Sequence, residues 1–529
     1  MNEDAWWQEG VLYQIYPRSY ADSSGDGHGD LAGIRGRLDH LAWLGIDGIW
    51  LSPTMPSPNR DWGYDVADYC GVHPDFGTLE DLDALVADAR GRGIAVLLDL
   101  VPNHTSDQHP WFVEASGSRD AVRRDFYVWA DPAPGGGPPT NWRSNFGGSA
   151  WTLDEASGQY YLHNFLPSQP DLNWWSDAVR DEFDRILRFW LDRGVAGFRI
   201  DVAHSIVKDR LLRDDPVATD ADHPHVRARG TRQEFSMNRP EVHDVFRRWR
   251  ALSDGAKPPG ILVGETYVLE LDQLIPFYGA GEDELHLAFN FLFVHAELEA
   301  APMRGIVERM ESALPPASWP VWTGSNHDAG RLATRWAGGD EDRARVALML
   351  LLTLRGTPFL YAGDELALGD VEVPRELWRD PVGETTGRPE AGRDGCRTPM
   401  PWTPDPGAGF TTPEATPWLP IGLEVGRTVA EQRADRSSVL HLVRDLIGLR
   451  RDESDLHRGT YASLPSPDGA WAYARGDGHV VALNLSQEPV AVEGVAGRVL
   501  ICTHRRRDGE RVAGSLELGP WTGAVVAAR

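Results

Sequence analysis

The sequence predicts a (β/α)8 barrel with a loop-rich domain inserted after the third strand and a C-terminal antiparallel β-sandwich domain. Apolar runs alternate with amphipathic helical patterns through most of the chain, which is typical of a parallel α/β architecture. Four of these runs end in carboxylate residues, and the carboxyl ends of barrel strands converge on one site. A chain of 529 residues is also too long for one compact core, so we expect further domains.

The first three strands are predicted at residues 11–17, 46–53 and 94–104, where apolar runs end in polar residues. Residues 39–45 and 79–90 between them show apolar side chains at helical spacing. After His104 the alternation stops, and a stretch rich in Pro and Gly follows at 132–139. Residues 105–173 are therefore predicted to form the inserted domain.

The alternation resumes with a predicted helix at 177–193 and with five further strands. A Pro- and Gly-rich stretch follows the eighth strand, and from 459 onward short β-like runs with Gly and Asp turns recur. We therefore assign residues 1–104 and 174–450 to the barrel and residues 451–529 to the C-terminal domain. The five strands are predicted at 195–201, 261–265, 286–291, 320–328 and 357–364.

The composition is that of an acidic globular protein. Hydrophobic residues make up 41% of the chain and charged residues 25%, and the formal net charge is −27. A charge of this sign argues against nucleic acid or an anionic membrane as a partner and favours a neutral or cationic ligand. No stretch of the sequence reaches the ~20 apolar residues that a membrane span needs.

The cysteines Cys70, Cys396 and Cys502 are few, odd in number and unclustered. This usage predicts neither a disulfide framework nor a zinc site and is typical of reduced thiols. The N-terminal residues lack the basic and apolar regions of a secretory signal. We therefore expect a cytoplasmic protein. We predict no organic cofactor, and the protein is expected to be a monomer or a small homo-oligomer.

Arg199 and Asp201 stand two residues apart, and on a strand such residues share a face. A guanidinium group beside a carboxylate lowers the pKa of that carboxylate and orients it, so that it stays ionised and can attack an electrophile. A structural ion pair would have the same sequence pattern. The three other strand ends, at Asp99, Glu265 and Asp328, favour the catalytic interpretation.

Four segments resemble the signature regions of the α-amylase family of retaining glycoside hydrolases. They occur in the family's order on the predicted third, fourth, fifth and seventh strands, and the resemblance extends over nearly the whole chain. A fifth segment, 169–173, resembles the corresponding region of the oligo-1,6-glucosidase and α-glucosidase group. The four segments are residues 99–104, 197–201, 264–265 and 325–328.

The chemistry that the resemblance implies needs one ionised carboxylate and one protonated carboxylic acid. Asp201 would be the nucleophile, ionised beside Arg199. Glu265, which follows an apolar run, would have a raised pKa and act first as acid and then as base. Asp328 would hold sugar hydroxyls and stabilise the oxocarbenium-like transition state.

The resemblance also implies a set of substrate-binding residues. The two histidines of this set would bond the hydroxyls of a distorted sugar ring, and Asp65 would pair with Arg397 to close the far end of the pocket. A pocket closed in this way admits a terminal glucose, which predicts exo action. The predicted set is Tyr64, Asp65, His104, Phe146, Arg199, His327 and Arg397, with Tyr64 as a stacking ring and Phe146 as an aromatic wall from the inserted domain.

The loop at residues 22–30 spaces oxygen ligands like the first part of an EF-hand, although Gly33 stands where an EF-hand has its bidentate Glu. The resembling segment of the oligo-1,6-glucosidase group binds a structural cation, so we predict a structural Ca²⁺ or Mg²⁺. Ser24 replaces the group's usual Asn. The predicted ligands are Asp22, Ser24, Asp26, the backbone carbonyl of His28, and Asp30.

Substrate preference depends on few residues. Val202 resembles the residue of α-1,6-specific members, whereas Ala203 and His204 after it resemble α-glucosidases that act on maltose-type substrates. We favour an exo-acting retaining α-glucosidase that releases α-glucose from short α-glucosides such as maltose by double displacement. Isomaltose or sucrose cleavage and glucose transfer are alternatives. A silent scaffold of the same fold would typically have lost part of the carboxylate triad, which this sequence keeps.

Overall fold

The computed structural model describes residues 6–386 and 391–528. Its largest sheet has eight parallel strands in chain order, and the eighth strand pairs with the first, which confirms the predicted barrel. Within the described residues, no ladder joins the sixth strand to the seventh. The eight strands are Leu12–Ile15, Gly48–Leu51, Ala95–Leu100, Gly197–Ile200, Ile261–Gly264, Leu287–Ala288, Val321–Thr323 and Thr357–Tyr361.

Alternate side chains of the strands fill the interior of the barrel, which is a packed core and not a channel. Leu12, Trp50 and Leu97 belong to this interior cluster, while the intervening side chains pack against the helices. The fourth strand must begin with a glycine. Gly197 has a φ of 146°, and a Cβ at this position would lie 2.1 Å from the Ile261 carbonyl oxygen.

The helices that cover the barrel begin at side-chain caps in several cases. Thr78 forms a capping box with Asp81, and Ser438 caps the last long helix. No helix in the described ranges is long and apolar enough to cross a membrane. The long helices are Leu79–Gly91, Asp177–Asp192, Val242–Asp254, Ala300–Ala313, Glu341–Thr353 and Val439–Asp452. The shorter ones are Trp6–Glu9, Leu31–Gly36, Leu38–Leu44, Pro110–Ser116, Pro224–Arg229, Leu271–Leu274, Phe291–Val294, Leu332–Arg335, Pro381–Thr386, Val429–Ala434 and Ser454–His457.

Between the third and fourth barrel strands the chain forms a small antiparallel sheet, with long loops around it. Trp142 and Trp151 stack within its core, with ring centres 5.9 Å apart. The Trp142 indole also donates to the Arg213 carbonyl oxygen at 2.8 Å, which ties this segment to the loop after the fourth barrel strand. The three strands of the small sheet are Trp129–Ala130, Trp151–Asp154 and Gln159–Leu162.

The C-terminal segment is antiparallel, as predicted, and its six strands form a single sheet rather than the predicted sandwich. Its longest strand contains two register shifts, and one face of the sheet packs into its own apolar core. Tyr473 connects the sheet to the barrel, because its hydroxyl lies 2.7 Å from the Thr353 hydroxyl of a barrel helix. The residue limits given above for the three domains stay predictions. The six strands are Tyr461–Leu464, Ala470–Arg475, His479–Asn484, Val490–Cys502, Arg511–Leu518 and Gly523–Ala527.

Candidate active site

Four carboxylates stand at the carboxyl ends of barrel strands. Asp99 lies in the third strand, and Asp201, Glu265 and Asp328 follow the fourth, fifth and seventh strands. The side chains of Asp201 and Glu265 are 8% and 10% exposed, whereas the Asp328 side chain is 28% exposed. The three carboxylates of the predicted triad are therefore partly buried, and Asp328 is the most accessible of them.

Arg199 joins three of these carboxylates. Its Nη1 lies 2.7 Å from Asp201 Oδ1 and 2.8 Å from Asp99 Oδ1, and its Nη2 lies 2.7 Å from Glu265 Oε2. The Trp50 ring centre is 4.9 Å from the guanidinium carbon, so the cation is also covered by an aromatic face. One buried cation thus contacts both Asp201 and Glu265 and does not distinguish between them.

The expectation that Arg199 leaves Asp201 with a low pKa is wrong. Burial, together with the negative charges of Glu265, Asp99 and Asp328, raises the pKa of Asp201 well above its ordinary value, although Arg199 opposes the rise. Arg199 is one cation among three buried carboxylates, so it only partly offsets the effects of burial and like charge on Asp201.

The carboxylate of Glu265 has polar partners, and its predicted role as acid and then base stays a prediction. Besides the contact with Arg199, its Oε2 accepts a hydrogen bond from the Val202 backbone N–H at 2.9 Å. Val202 has a φ of 36° and a ψ of 48°, a left-handed conformation that is rare for a β-branched residue. Strain of this kind costs ~1–3 kcal/mol and tends to occur at functional sites. The strained turn at Val202 therefore points the backbone N–H of this residue toward the carboxylate of Glu265.

Asp328 accepts hydrogen bonds from two arginines. Arg397 Nη2 and Arg393 Nη1 donate to its Oδ1 at 2.8 and 2.9 Å, and His327 Nε2 lies 3.2 Å from its Oδ2. Burial opposes the ionisation of Asp328, but these neighbours hold its pKa below the ordinary value. Asp328 is therefore an anion at neutral pH, and its predicted role beside a positively charged sugar stays a prediction.

Tyr64 stacks on His327, with ring centres 5.3 Å apart and planes 5° from parallel. The Tyr64 hydroxyl donates to Asp99 Oδ2 at 3.0 Å and lies 2.5 Å from His327 Nε2, while Gln14 Nε2 donates to His327 Nδ1 at 2.7 Å. Since Nδ1 accepts, the ring proton is on Nε2. Burial lowers the pKa of His327 well below its usual range, so the ring is neutral at neutral pH.

His104 is fully buried beside these residues. Its Nε2 contacts the Tyr64 carbonyl oxygen at 3.0 Å, and its Nδ1 accepts from Asn103 Nδ2 at 3.0 Å. Burial lowers the pKa of His104 to about 4. Both ring nitrogens contact protein atoms here, so its bond to a sugar hydroxyl stays a prediction.

Arg393, which the sequence analysis did not single out, closes one side of the space. Its Nη2 donates to Asp61 Oδ1 at 2.9 Å and to Asp380 Oδ1 at 2.8 Å, while its Nη1 reaches Asp328. Burial raises the pKa of Asp61 to about 6, against the opposite effects of Arg393 and Arg397. The bridge joins the loop after the second strand to the loop after the eighth.

The predicted pairing of Asp65 with Arg397 is wrong. Asp65 is fully buried, and its carboxylate accepts from the Ser57 hydroxyl at 2.6 Å and the Arg60 N–H at 2.9 Å. It therefore holds the local turn in place. Asp61, at the start of the same turn, faces the arginines instead, because both carboxylate oxygens of Asp65 are engaged within the turn.

Phe146 lies on the same wall as Arg393. Its ring centre is 5.3 Å from the Arg393 guanidinium carbon and 5.4 Å from the Phe165 ring centre. The inserted segment between the third and fourth strands supplies both aromatic rings. This position agrees with an aromatic wall, and a contact between Phe146 and a sugar stays a prediction.

The loop at residues 22–30 is closed by its own hydrogen bonds. Asp22 Oδ1 accepts from the Gly25 N–H at 2.7 Å, and Asp30 Oδ1 accepts from the Gly33 N–H at 2.6 Å. Across the described residues, no group of three or more His, Cys, Asp or Glu side chains is arranged to hold a metal. The predicted ligands do not fit an ion as a side-chain cluster, and the Ca²⁺ or Mg²⁺ stays a prediction.

Several residues of the site were missed because their partners lie far away in the sequence. Arg393 meets Asp61 across 332 positions, so no local pattern could indicate the pair. Lys208 gave a usable signal, because it and Lys257 are the only lysines in the sequence. It is buried beneath the site, 2.8 Å from Asp171 Oδ2.

The same carboxylates lie in a chain whose residues 14–459 match the description "Alpha amylase, catalytic domain". The chain belongs to the α-amylase family of glycoside hydrolases. This membership confirms the resemblance that was drawn from the four strand ends, and it makes the protein an enzyme of that family.

Similar members of the α-amylase family cover nearly the full chain. A probable alpha-glucosidase of Rhizobium meliloti (strain 1021) is 42% identical over 508 residues, which cover 92% of this chain and 91% of the relative. An oligo-1,6-glucosidase of Heyndrickxia coagulans is 37% identical over 533 residues, with 92% and 93% covered. The crystal structure of an alpha-glucosyl transfer enzyme superposes with a TM-score of 0.92 at 39% identity, and the match covers 99% of both chains.

Proposed function

We propose that this member of the α-amylase family is an exo-acting, retaining α-glucosidase that releases α-glucose from the non-reducing end of short α-glucosides such as maltose. The observation that carries the proposal is the sharing of one guanidinium group. Asp201 Oδ1 and Glu265 Oε2 each lie 2.7 Å from a nitrogen of Arg199. Such closeness favours the ~5–5.5 Å separation of retaining enzymes over the ~6.5–9.5 Å separation of inverting enzymes.

In the first step, Asp201 attacks the anomeric carbon while Glu265 gives a proton to the glycosidic oxygen, so that the leaving group departs and a glucosyl ester forms on Asp201. In the second step, Glu265 takes a proton from water, whose oxygen attacks the same carbon and releases Asp201. Two inversions return the α configuration. Because positive charge develops on the sugar beside Asp201, the substrate favours ionised Asp201 and a proton on Glu265.

The bridge of Arg393 to Asp61 and Asp328 supports exo action, since it limits the space beyond the carboxylates. The ligand in this proposal is a disaccharide or a short oligosaccharide. A cytoplasmic location is supported by free thiols at Cys70, Cys396 and Cys502.

Cleavage of α-1,6 linkages is the second candidate. It is favoured by Val202, which follows the proposed nucleophile, and by the identity with an oligo-1,6-glucosidase. We place it second because Ala203 and His204 after Val202 resemble α-glucosidases that act on maltose-type substrates and because the relative with higher identity carries the broader name.

The test is glucose release from maltose, isomaltose, sucrose and trehalose, with the first-formed anomer followed by NMR. We expect α-glucose from maltose with the wild type and a loss of at least ~10³-fold in kcat with Asp201→Ala. Asp192→Ala, at an exposed position at the end of a barrel helix, is the control and should retain activity. Faster cleavage of isomaltose would favour the second candidate, and β-glucose as the first product would contradict retention.

A further inference from the structure

The C-terminal sheet contains a cavity of about 200 Å³ beside its apolar core. This core consists mostly of alanine and valine side chains, which are small. Larger side chains would fill the space, since protein interiors are normally close-packed. The cavity therefore follows from the small side chains of the sheet. The members of the core that also line the cavity are Val499, Cys502, Leu518 and Ala524.

Hydrogen bonds fix the walls of the cavity. The turn at residues 503–509 follows Cys502, whose backbone N–H donates to Asp508 Oδ1 at 2.8 Å. The Arg507 N–H donates to Cys502 Sγ at 3.3 Å, so the turn is held from both sides. A site that is already ordered loses less conformational entropy when a ligand binds. The strands Val490–Cys502 and Arg511–Leu518 end at the cavity, and Gly523–Ala527 begins there.

The volume and the lining of the cavity fit one small aromatic ring. Most of the lining is apolar. An apolar cavity of about 150 Å³ holds benzene, so a cavity of about 200 Å³ accepts a six-membered ring with one small substituent. The sulfur of Cys502 is polarisable, and such atoms contact aromatic rings favourably. Burial raises the pKa of Cys502, so the sulfur is a neutral thiol at neutral pH.

The side chain of Arg506 lines the same cavity and is exposed to solvent. Arg505 and Arg507 on either side of it pair with Asp508 and Glu510, each at 2.7 Å. Among the residues that the structure describes, no carboxylate pairs with Arg506. Its guanidinium group is therefore available to the carboxylate of a ligand.

An unpaired surface arginine is ordinary, and so is a small apolar cavity. Their occurrence at one place specifies a ligand, because the cavity selects an apolar group and Arg506 selects a negative charge beside it. A sugar fits this site poorly, since its hydroxyl groups would lose their hydrogen bonds to water against apolar walls.

We propose that this cavity binds a small aryl carboxylate, with its ring against Val499, Leu518 and Ala524 and its carboxylate on the guanidinium group of Arg506. The site goes beyond the proposed function, because none of the carboxylates at the barrel strand ends lines it. A ligand that binds only the folded chain raises the free energy of unfolding. An aryl carboxylate would therefore stabilise the protein.

The experiment measures the Kd of benzoate by isothermal titration calorimetry for the full chain and for three variants. Arg506→Gln removes the cation, and Ala524→Val extends a lining side chain into the cavity. We expect each of these two variants to raise the Kd roughly tenfold or more, which corresponds to the loss of one hydrogen bond to a charged group or of the room for the ring. Arg511→Gln changes an exposed arginine of the same sheet outside the cavity, and should keep the Kd of the wild type.

Two further probes separate the ring from the charge. Benzamide has the same ring without the charge, and should bind the wild type and Arg506→Gln equally, with a Kd roughly tenfold above that of benzoate on the wild type. Acetate has the charge without the ring and should show no saturable binding.

The inference would be overturned if benzoate showed no saturable binding to the wild type. An unchanged Kd in Ala524→Val would place the ligand outside the cavity and overturn it as well. If Ala524→Val does not fold, the comparison of benzoate with benzamide on Arg506→Gln still decides, because equal affinities on the wild type would exclude Arg506 as a partner. Tighter binding of hexanoate than of benzoate would overturn the assignment to an aryl group.

Discussion

At the residue scale, Arg199 is a single cation that contacts three carboxylates. Asp99, Asp201 and Glu265 all form ion pairs with its guanidinium group. The Tyr64 hydroxyl and the Trp50 indole N–H also donate to Asp99. A carboxylate in such a cluster responds to each of its neighbours. The charge on Asp99 therefore reaches Asp201, although Asp99 has no direct part in the proposed reaction.

Replacement of Asp99 by Asn should shift the acidic limb of the pH profile. The negative charge of Asp99 helps raise the pKa of Asp201, and attack requires Asp201 to be ionised. In the wild type we expect the midpoint of the acidic limb of kcat/KM to lie above pH ~4, which is the ordinary pKa of an aspartate. In Asp99→Asn we expect this midpoint to lie at a lower pH than in the wild type. The measurement is the pH dependence of p-nitrophenyl α-glucoside hydrolysis, with Asp364→Asn, a buried carboxylate held by Ser325 and Tyr361, as the control. A limb that moves upward would contradict the argument.

Contacts between neighbouring residues could be predicted, and contacts between loops could not. The spacing of Arg199 and Asp201 on a strand fixes their contact, because alternation is a local property of the backbone. Whether Asp61 or Asp65 faces the arginines depends on the course of one turn. From the sequence alone, either aspartate could contact the arginines. The hydrogen bonds of the folded turn decide that Asp61 does so.

At the element scale, the strands were predictable where apolar runs are long and ambiguous where they are short. The predicted run at 261–265 corresponds to Ile261–Gly264, but the predicted strand at 286–291 shortens to Leu287–Ala288, after which Phe291 begins a helix. Tertiary contacts decide such short segments. The inserted segment shows the same limit, since its link to the barrel depends on Lys208 and Asp171, which are far apart in sequence.

Replacement of Lys208 by Met should destabilise the junction between the inserted segment and the barrel. Lys208 Nζ lies 2.8 Å from Asp171 Oδ2, and both side chains are buried, so the variant leaves an uncompensated carboxylate at a cost of ~3–5 kcal/mol. We expect a lower urea midpoint, which Asp171→Asn in the same chain should partly restore. Lys257→Met, at the exposed second lysine, is the control and should match the wild type. Additive losses in the double variant would contradict the pairing.

At the scale of the whole molecule, the loop at 22–30 links the start of the barrel to its end. Asp22 accepts from the Thr411 hydroxyl at 2.5 Å, and the Trp418 N–H donates to the Gly27 carbonyl oxygen at 3.0 Å. The loop thus fastens the segment after the first strand to the segment after the eighth. A cation bound here would stabilise the closure of the barrel as a whole.

We expect Ca²⁺ to stabilise the protein only weakly, because the oxygens of Asp22 already accept hydrogen bonds that a cation would have to share. At a concentration tenfold above its Kd, the ion contributes ~1.4 kcal/mol, or roughly 1–3 °C in Tm. The measurement is Tm in millimolar Ca²⁺ against EDTA. Asp26→Asn should abolish the change in Tm, whereas Asp68→Asn should retain it. The two aspartates are matched, because each accepts a hydrogen bond at 2.9 Å from the backbone N–H two residues ahead, but only Asp26 lies in the loop. Identical Tm values for the wild type in Ca²⁺ and EDTA would contradict the predicted ion. The hydrogen bonds of Asp22 would then be sufficient to hold the loop.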